Sequence, residues 1–229
     1  MDFGKTFHDA APLLLKGLQM TVLAAVVSIL IGIVIGFISC MLGRSRFRVL
    51  RGISAVYVWV IRGTPMLVQA LLIFFGMPQL IQQFIPGFRI TALTAAIITL
   101  SLNGGAYLSE IFRGGISAVD SGQIEASRSL GMSSSRTMMR IVLPQAIKVA
   151  IPSMVNQFII TVKDTSILSA IGFGEIVNKA RVYVGGTYNY FATYVLVGLF
   201  YLVIISILMV ISRMIERKFN YERTRMTSS

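Results

Sequence analysis

One cysteine, one histidine and one tryptophan are all that the 229 residues hold of those types. A lone Cys40 inside an apolar stretch excludes a disulfide framework and a cysteine metal site, and a lone His8 near the N-terminus supplies no ligand set. Acidic residues are scarce too, nine against 21 Lys and Arg, and charged residues make up only 13% of the chain. Soluble domains carry about a quarter, so a large soluble core is excluded. No phosphate loop is present: the single "GKT", Gly4-Lys5-Thr6, has three residues before it and no strand. The sequence assigns this chain no catalytic residue, no metal and no cofactor of its own.

Long apolar runs are what the chain has instead, with 55% hydrophobic residues and a mean hydropathy of +0.77. A helix needs about 20 apolar residues to cross the hydrocarbon. Five segments qualify, near 18–42, 53–80, 91–112, 149–171 and 191–212, the fourth interrupted by Lys163 and Asp164. Nothing alternates in the manner of barrel strands, so the expectation is an all-α integral membrane protein with about five transmembrane helices in a single domain over 1–229. The N-terminal "MDFGKTFHDAAPLLLKG" lacks a cleavable signal pattern and reads as a short interfacial helix before the first span.

A net charge of +12 raises the question of nucleic acid, and its placement answers it. Arg44, Arg46, Arg48 and Arg51 lie between the first two spans. Arg113, Arg128, Arg136, Arg140 and Lys148 lie between the third and fourth. Arg213, Arg217, Lys218, Arg223 and Arg225 follow the fifth. These alternate connections share one side and hold fourteen of the 21 basic residues. The other side carries Lys5, Lys16, Arg89, Lys179 and Arg181, partly offset by Asp2, Asp9 and Glu175. The positive-inside rule makes the richer side cytoplasmic, with the N-terminus outside and the C-terminus inside. The partner is a lipid bilayer, not a nucleic acid.

Small residues recur every fourth position in the first span, at Ser28, Gly32, Gly36 and Cys40, a stripe suited to close helix approach. Gly104 and Gly105 suggest the same. Polar groups at membrane depth are costly unless paired or wet. Arg62, Asn103 and Asp164 fall near the middle of a ~30 Å core when counted at about 1.5 Å per residue. Pro65 removes a backbone donor and frees the carbonyl near Ile61, and with Gly63 beside it predicts a kink or broken turn. Lys163 and Asp164 point about 100° apart on a regular helix, so either the helix breaks there or the charges reach Arg62, water or a ligand. Three readings follow: an ion-pair network that locks the bundle, a proton or ion relay, or a polar cavity. A cavity offering both charge signs with Thr64, Gln69, Thr165 and Ser166 suits a zwitterion, its carboxylate on Arg62 or Lys163 and its ammonium on Asp164.

Between the third and fourth spans, about 120–144, lies "EASRSLGMSSSRTMMRIVLP". Asp120 with Gln123 reads as a capping box for a helix over 121–130, and Gly131 as its left-handed stop. Ser133 caps a second helix to Leu143, and Pro144 marks the turn into the fourth span. Glu125 and Arg128 share one face.

The spacing of Glu125-Ala126, Gly131 and Ile141-x-Leu143-Pro144 resembles the signature of bacterial ABC-importer membrane subunits, with Ser127 where a second alanine is usual. "RGTP-LVQ" at Arg62–Gln69, "N-GAY-SEI" from Asn103 and "KDTS" at Lys163–Ser166 look like the polar amino acid uptake subfamily. The resemblance covers nearly the whole chain. It implies a type I ABC importer permease in the bacterial inner membrane, paired with a second permease subunit, identical or closely related. It implies coupling to a separate ATPase dimer that carries ATP and magnesium, through a cytoplasmic helix at Glu125, Ala126, Ser127, Arg128, Gly131 and Pro144. An extracytoplasmic amino-acid-binding protein would deliver substrate to Arg62, Thr64, Gln69, Asn103, Tyr107, Lys163, Asp164, Thr165 and Ser166. The substrate is expected to be a polar, neutral or sulfur-containing amino acid, with a basic one as the alternative. An ATP-independent carrier or channel would leave the Glu125–Pro144 signature without purpose.

Overall fold

The computed structural model describes residues 3–227, with side chains to Arg217. Asp2, Lys218, Arg223 and Arg225, counted above for charge placement, lie outside the described side chains. Among the described residues every regular element is helical.

The first helix, α1, runs unbroken over Phe3–Gly43. No glycine stop or cap separates a surface piece from the span, so the short helix expected ahead of residue 18 is the same helix continued, with Pro12 inside it. At about 61 Å, α1 exceeds the ~30 Å hydrocarbon twofold. Its first third packs on α9 (Ile176–Thr187) through Ala10, Leu14, Ile176 and Ala180. The contact is so close that a Cβ on Gly17 would lie 2.6 Å from the Ile176 Cα.

Deeper in, the small-residue stripe of α1 meets α5 (Ala92–Ser117). A Cβ on Gly36 would lie 2.7 Å from the Leu108 Cβ and 2.8 Å from the Gly105 carbonyl oxygen. Gly105 is equally confined, but a Cβ on Gly104 would meet nothing within 4 Å. The close approach expected at both glycines therefore falls on Gly105 alone, because Gly104 points off the α1 seam. Leu108, Phe112 and Ile116 extend this core to Val142, Leu143, Ala146 and Ala150 at the start of α8 (Leu143–Asp164).

The second span is broken. Helix α2 (Arg48–Gly63) meets α3 (Met66–Leu71) at 105°, and α3 continues through a π turn over Leu72–Gly76 into α4 (Met77–Ile81). The kink expected from Gly63 and Pro65 is there. Helix α2 buries only Ser54, so most of its apolar surface is left for lipid or another chain. Among the described residues, four further helices are long and apolar enough to cross, giving up to five spans when the bent pair counts as one. The last, α10 (Tyr190–Thr227), closes the bundle against α8 and α9.

Candidate functional site

At the α2–α3 break, the missing Pro65 donor leaves the Ile61 carbonyl unpaired and the end of α2 leaves that of Thr64 open, and backbone polar groups cannot stay so at membrane depth. Gln69 resolves this. Its Nε2 donates to the Ile61 carbonyl at 2.8 Å, the Thr64 carbonyl at 3.1 Å and the Thr64 hydroxyl at 2.9 Å. The Thr64 hydroxyl donates in turn to the Val60 carbonyl at 2.8 Å. Gln69 and Thr64, which the sequence reading assigned to substrate, thus hold the bend together. Only the Gln69 Oε1 faces outward, accepting from Asn103 Nδ2 at 3.4 Å.

Helix α5 brings three groups to this break. Buried Asn103 reaches Gln69, and the Tyr107 ring lies under the Arg62 guanidinium at 5.2 Å. Glu110, one turn further, has Arg62 Nη1 at 3.5 Å from its Oε2 and a bidentate partner in Arg113. Arg62 therefore pairs with Glu110 rather than with Asp164. Sequence reading counted Arg113 for charge placement and did not place it or Glu110 among the site residues. Their i, i+3 spacing on one helix face with Arg62 opposite was the available signal.

The "KDTS" segment ends α8 and tightens into a 3₁₀ helix over Thr165–Ile171. The change of helix at Asp164 answers the adjacency of Lys163 and Asp164. The Thr165 hydroxyl is fully buried and donates to the Val162 carbonyl at 2.8 Å, while the Ser166 hydroxyl donates to the Lys163 carbonyl at 2.7 Å. Lys163 and Ser166 open instead on a crevice beside Gly198 and Tyr201 of α10. So Arg62, Thr64, Gln69, Asn103 and Tyr107 are brought together, and the side-chain contacts do not extend to Lys163, Asp164, Thr165 or Ser166.

On the far side of α5, helix α6 (Ser121–Ser129) begins at Asp120, whose Oδ1 accepts from the Gly122 amide at 2.6 Å. Asp120 therefore caps the helix through N2, but the capping box expected with Gln123 does not form, because Gln123 Oε1 is taken by Gln145 Nε2 at 2.5 Å. Leu130 and Gly131 end the helix as expected: Gly131 has φ +82°, its amide donates to the Arg128 carbonyl at 3.0 Å, and the Met132 amide to the Ser127 carbonyl at 3.1 Å. Arg128 Nη1 locks the elbow through the Met132 carbonyl at 2.8 Å rather than pairing with Glu125. Ser127, buried, donates to the Thr137 hydroxyl at 3.0 Å and so ties α6 to α7 (Ser134–Thr137), which Ser133 caps. Pro144 makes no turn. A π turn over Met138–Val142 absorbs its missing donor, and the helix continues from Ser134 to Ile171. Glu125, Ala126 and Leu130 remain exposed on this segment, Leu130 by 85%.

Residues 28–221 match the family described as "Binding-protein-dependent transport system inner membrane component". The chain is 39% identical over 218 residues to the arginine transport system permease protein ArtQ of Bacillus subtilis, covering 95% of this chain and 97% of that one. It is 36% identical to a putative glutamine transport system permease protein GlnP of Rickettsia bellii, over 90% of this chain and 92% of the relative. A solved amino acid ABC transporter with histidines contains a chain that superposes with a TM-score of 0.88 at 37% identity, covering 95% of this chain and 99% of that one.

Proposed function

The chain belongs to the inner membrane components of binding-protein-dependent transport systems, with the architecture of a type I ABC importer permease, and on that premise we propose that it forms half of an ATP-driven amino acid uptake pathway. A second permease subunit completes the pathway, an extracytoplasmic binding protein delivers the solute, and a separate ATPase dimer hydrolyses ATP with magnesium. The N-terminus lies outside and the C-terminus in the cytoplasm, an orientation supported by the basic connections.

The observation that carries the reading is the short helix Ser121–Ser129 with its glycine elbow. It is capped at both ends and hydrogen-bonded to α7, and it presents exposed Leu130 and Glu125 beyond the bundle. A rod so fixed transmits force; a loop would absorb it. The Gly131 elbow joins it to α7, which runs on through the π turn into α8, whose far end carries Lys163 and Asp164. Ala126, Ser127, Arg128, Gly131 and Pro144 shape the rod.

The solute is a polar amino acid. Its carboxylate meets Arg62 beside Tyr107 and Asn103, and its ammonium meets Asp164, with Lys163 and Ser166 on the crevice beside α10 and buried Thr165 fixing the turn. Relatives named for arginine and for glutamine favour this class. No site residue selects sulfur. The carboxylates of Glu110 and Asp164 favour a basic member as the second reading.

The test is uptake and ATPase activity of the reconstituted complex. Glu125→Lys or Gly131→Asp is expected to leave the chain inserted while uptake and hydrolysis come apart. Asn103→Ala or Asp164→Asn is expected to lower uptake with the ATPase still bound. Normal coupled uptake in the first pair removes the lever, and in the second pair removes the pathway site.

A further inference from the structure

Three arginines from three stretches of chain face one crevice, at the end of the bundle where α1 and α5 finish and α2 begins. Arg44 follows α1, Arg51 stands in the first turn of α2, and Arg113 lies one turn before the end of α5. Together they line a cavity of about 380 Å³. Its floor is a closed hydroxyl network. Ser54 donates to the Ser39 carbonyl at 2.8 Å, Ser109 to the Ser39 hydroxyl at 3.2 Å, and the Ser39 and Ser54 hydroxyls lie 3.0 Å apart.

The charges do not balance. Glu110, the carboxylate in the lining, is already held by Arg113 and faces Arg62. Among the described residues, neither Arg44 nor Arg51 forms an ion pair, and Arg51 has only the Ser45 carbonyl at 3.4 Å. Two positive charges are left facing the crevice.

One wall is apolar and runs inward. Ala55, Val58 and Trp59 continue the Arg51 face of α2, and Trp59 is 75% exposed. From Arg51 to Trp59 is about 12 Å along the helix. A free anion would use the charged mouth and leave this wall bare. An amphiphile uses both, and basic pockets between helices at the cytoplasmic face suit acidic headgroups.

We infer that this crevice holds an anionic phospholipid, its phosphodiester between Arg44 and Arg51 and the upper part of an acyl chain against Trp59. The guanidinium fork matches phosphate oxygens in pairs. The inference rests on the proposed orientation, which puts this end of the bundle at the cytoplasmic face, and it shares Glu110 with the Arg62 cluster but does not depend on which solute is carried.

Trp59 is the chain's one tryptophan, so its fluorescence reports the site directly. The full chain in mixed micelles is titrated with phosphatidylglycerol or phosphatidylcholine carrying brominated acyl chains. Stronger quenching by the anionic lipid at equal mole fraction is expected. The preference should fall by about five-fold for each of Arg44→Gln and Arg51→Gln and survive Arg44→Lys with Arg51→Lys. Inorganic phosphate should not displace the lipid's quenching. Equal quenching by both lipids overturns the inference, as does a preference that persists without the two arginines. So does a Trp59 that neither lipid reaches, which would place a second copy of the chain over the crevice, and so does full displacement by phosphate.

Discussion

Arg62 Nη1 lies 3.5 Å from Glu110 Oε2, while Glu110 is bound more closely by Arg113 on its own helix. Two guanidiniums share one carboxylate. Glu110 can release Arg62 and stay neutralised by Arg113, so the α2–α5 link is the one that yields when another carboxylate arrives. Cation–π contact with Tyr107 keeps Arg62 placed during such an exchange.

Glu110 should therefore compete with the solute carboxylate for Arg62. Glu110→Gln is expected to lower the KM for uptake by roughly two- to five-fold, the range of one exposed ion pair. Arg62→Gln should raise it by roughly tenfold or more. An unchanged KM in the first variant with a raised one in the second removes the competition and keeps Arg62 as the carboxylate reader.

Packing at two glycines makes opposite forecasts. Gly36→Ala puts a methyl against the Leu108 Cβ and the Gly105 carbonyl, neither of which can swing away, and should destabilise the chain by about 1–3 kcal/mol. Gly104→Ala meets open space and gains helix propensity, up to about 1 kcal/mol. Thermal unfolding of the two purified variants reads the difference.

How far the sequence foretold this arrangement depends on the physics of each feature. Apolar length alone marks a span, so an all-helical chain with up to five spans was legible. Pro65 and Gly63 act on their own backbone, so the break was legible too. The small-residue stripe named one side of the α1–α5 contact and left Gly104 and Gly105 undivided, since only the partner helix decides which of them faces it. The role of Gln69 at the bend was not legible, because an amide at membrane depth looks the same whether it serves a ligand or an orphan carbonyl. Pro144 misled for a similar reason: a π turn, unlike a break, leaves no mark in composition.

Glu175 stands between the fourth and fifth spans, fully buried. Burial pushes its carboxyl up to about 7, against the opposing pull of the Val177 and Asn178 amides and Tyr201. The folded chain thus binds this proton more tightly than the unfolded one does. Stability from this group is fully present below the unfolded value near 4.5 and is lost as pH rises towards 7, by up to about 3 kcal/mol. Melting temperature should fall between pH 5 and 7.5 in the parent chain. In Glu175→Gln that slope should flatten, and an equal slope in both would assign the effect elsewhere.

Ser127 occupies a position where alanine is usual in the signature, and it uses its hydroxyl twice, towards the Ile124 carbonyl at 2.8 Å and Thr137 at 3.0 Å. Ser127→Ala should cost about 1 kcal/mol locally. Amide exchange over residues 121–131 is expected to rise roughly five-fold while the spans stay protected. Unchanged exchange there would mean that the glycine elbow alone holds the rod.

Gln69 and Asn103 are joined by a single hydrogen bond yet differ in what each supports. Gln69 satisfies the Ile61 carbonyl that Pro65 orphaned and the Thr64 carbonyl left open at the break, so Gln69→Leu leaves both without a donor, at about 1–3 kcal/mol apiece. That variant should lose stability and uptake together. Asn103 is buried but satisfies no backbone group among its described bonds, its contact being the Gln69 Oε1 at 3.4 Å. Asn103→Ala should therefore melt within about 1 kcal/mol of the parent and still lose uptake. Parallel melting curves and uptake rates on the two variants separate a scaffold amide from a pathway amide. Equal loss of stability in both would make the pair a structural lock, and the polar cluster at the break would then have no claim on the solute.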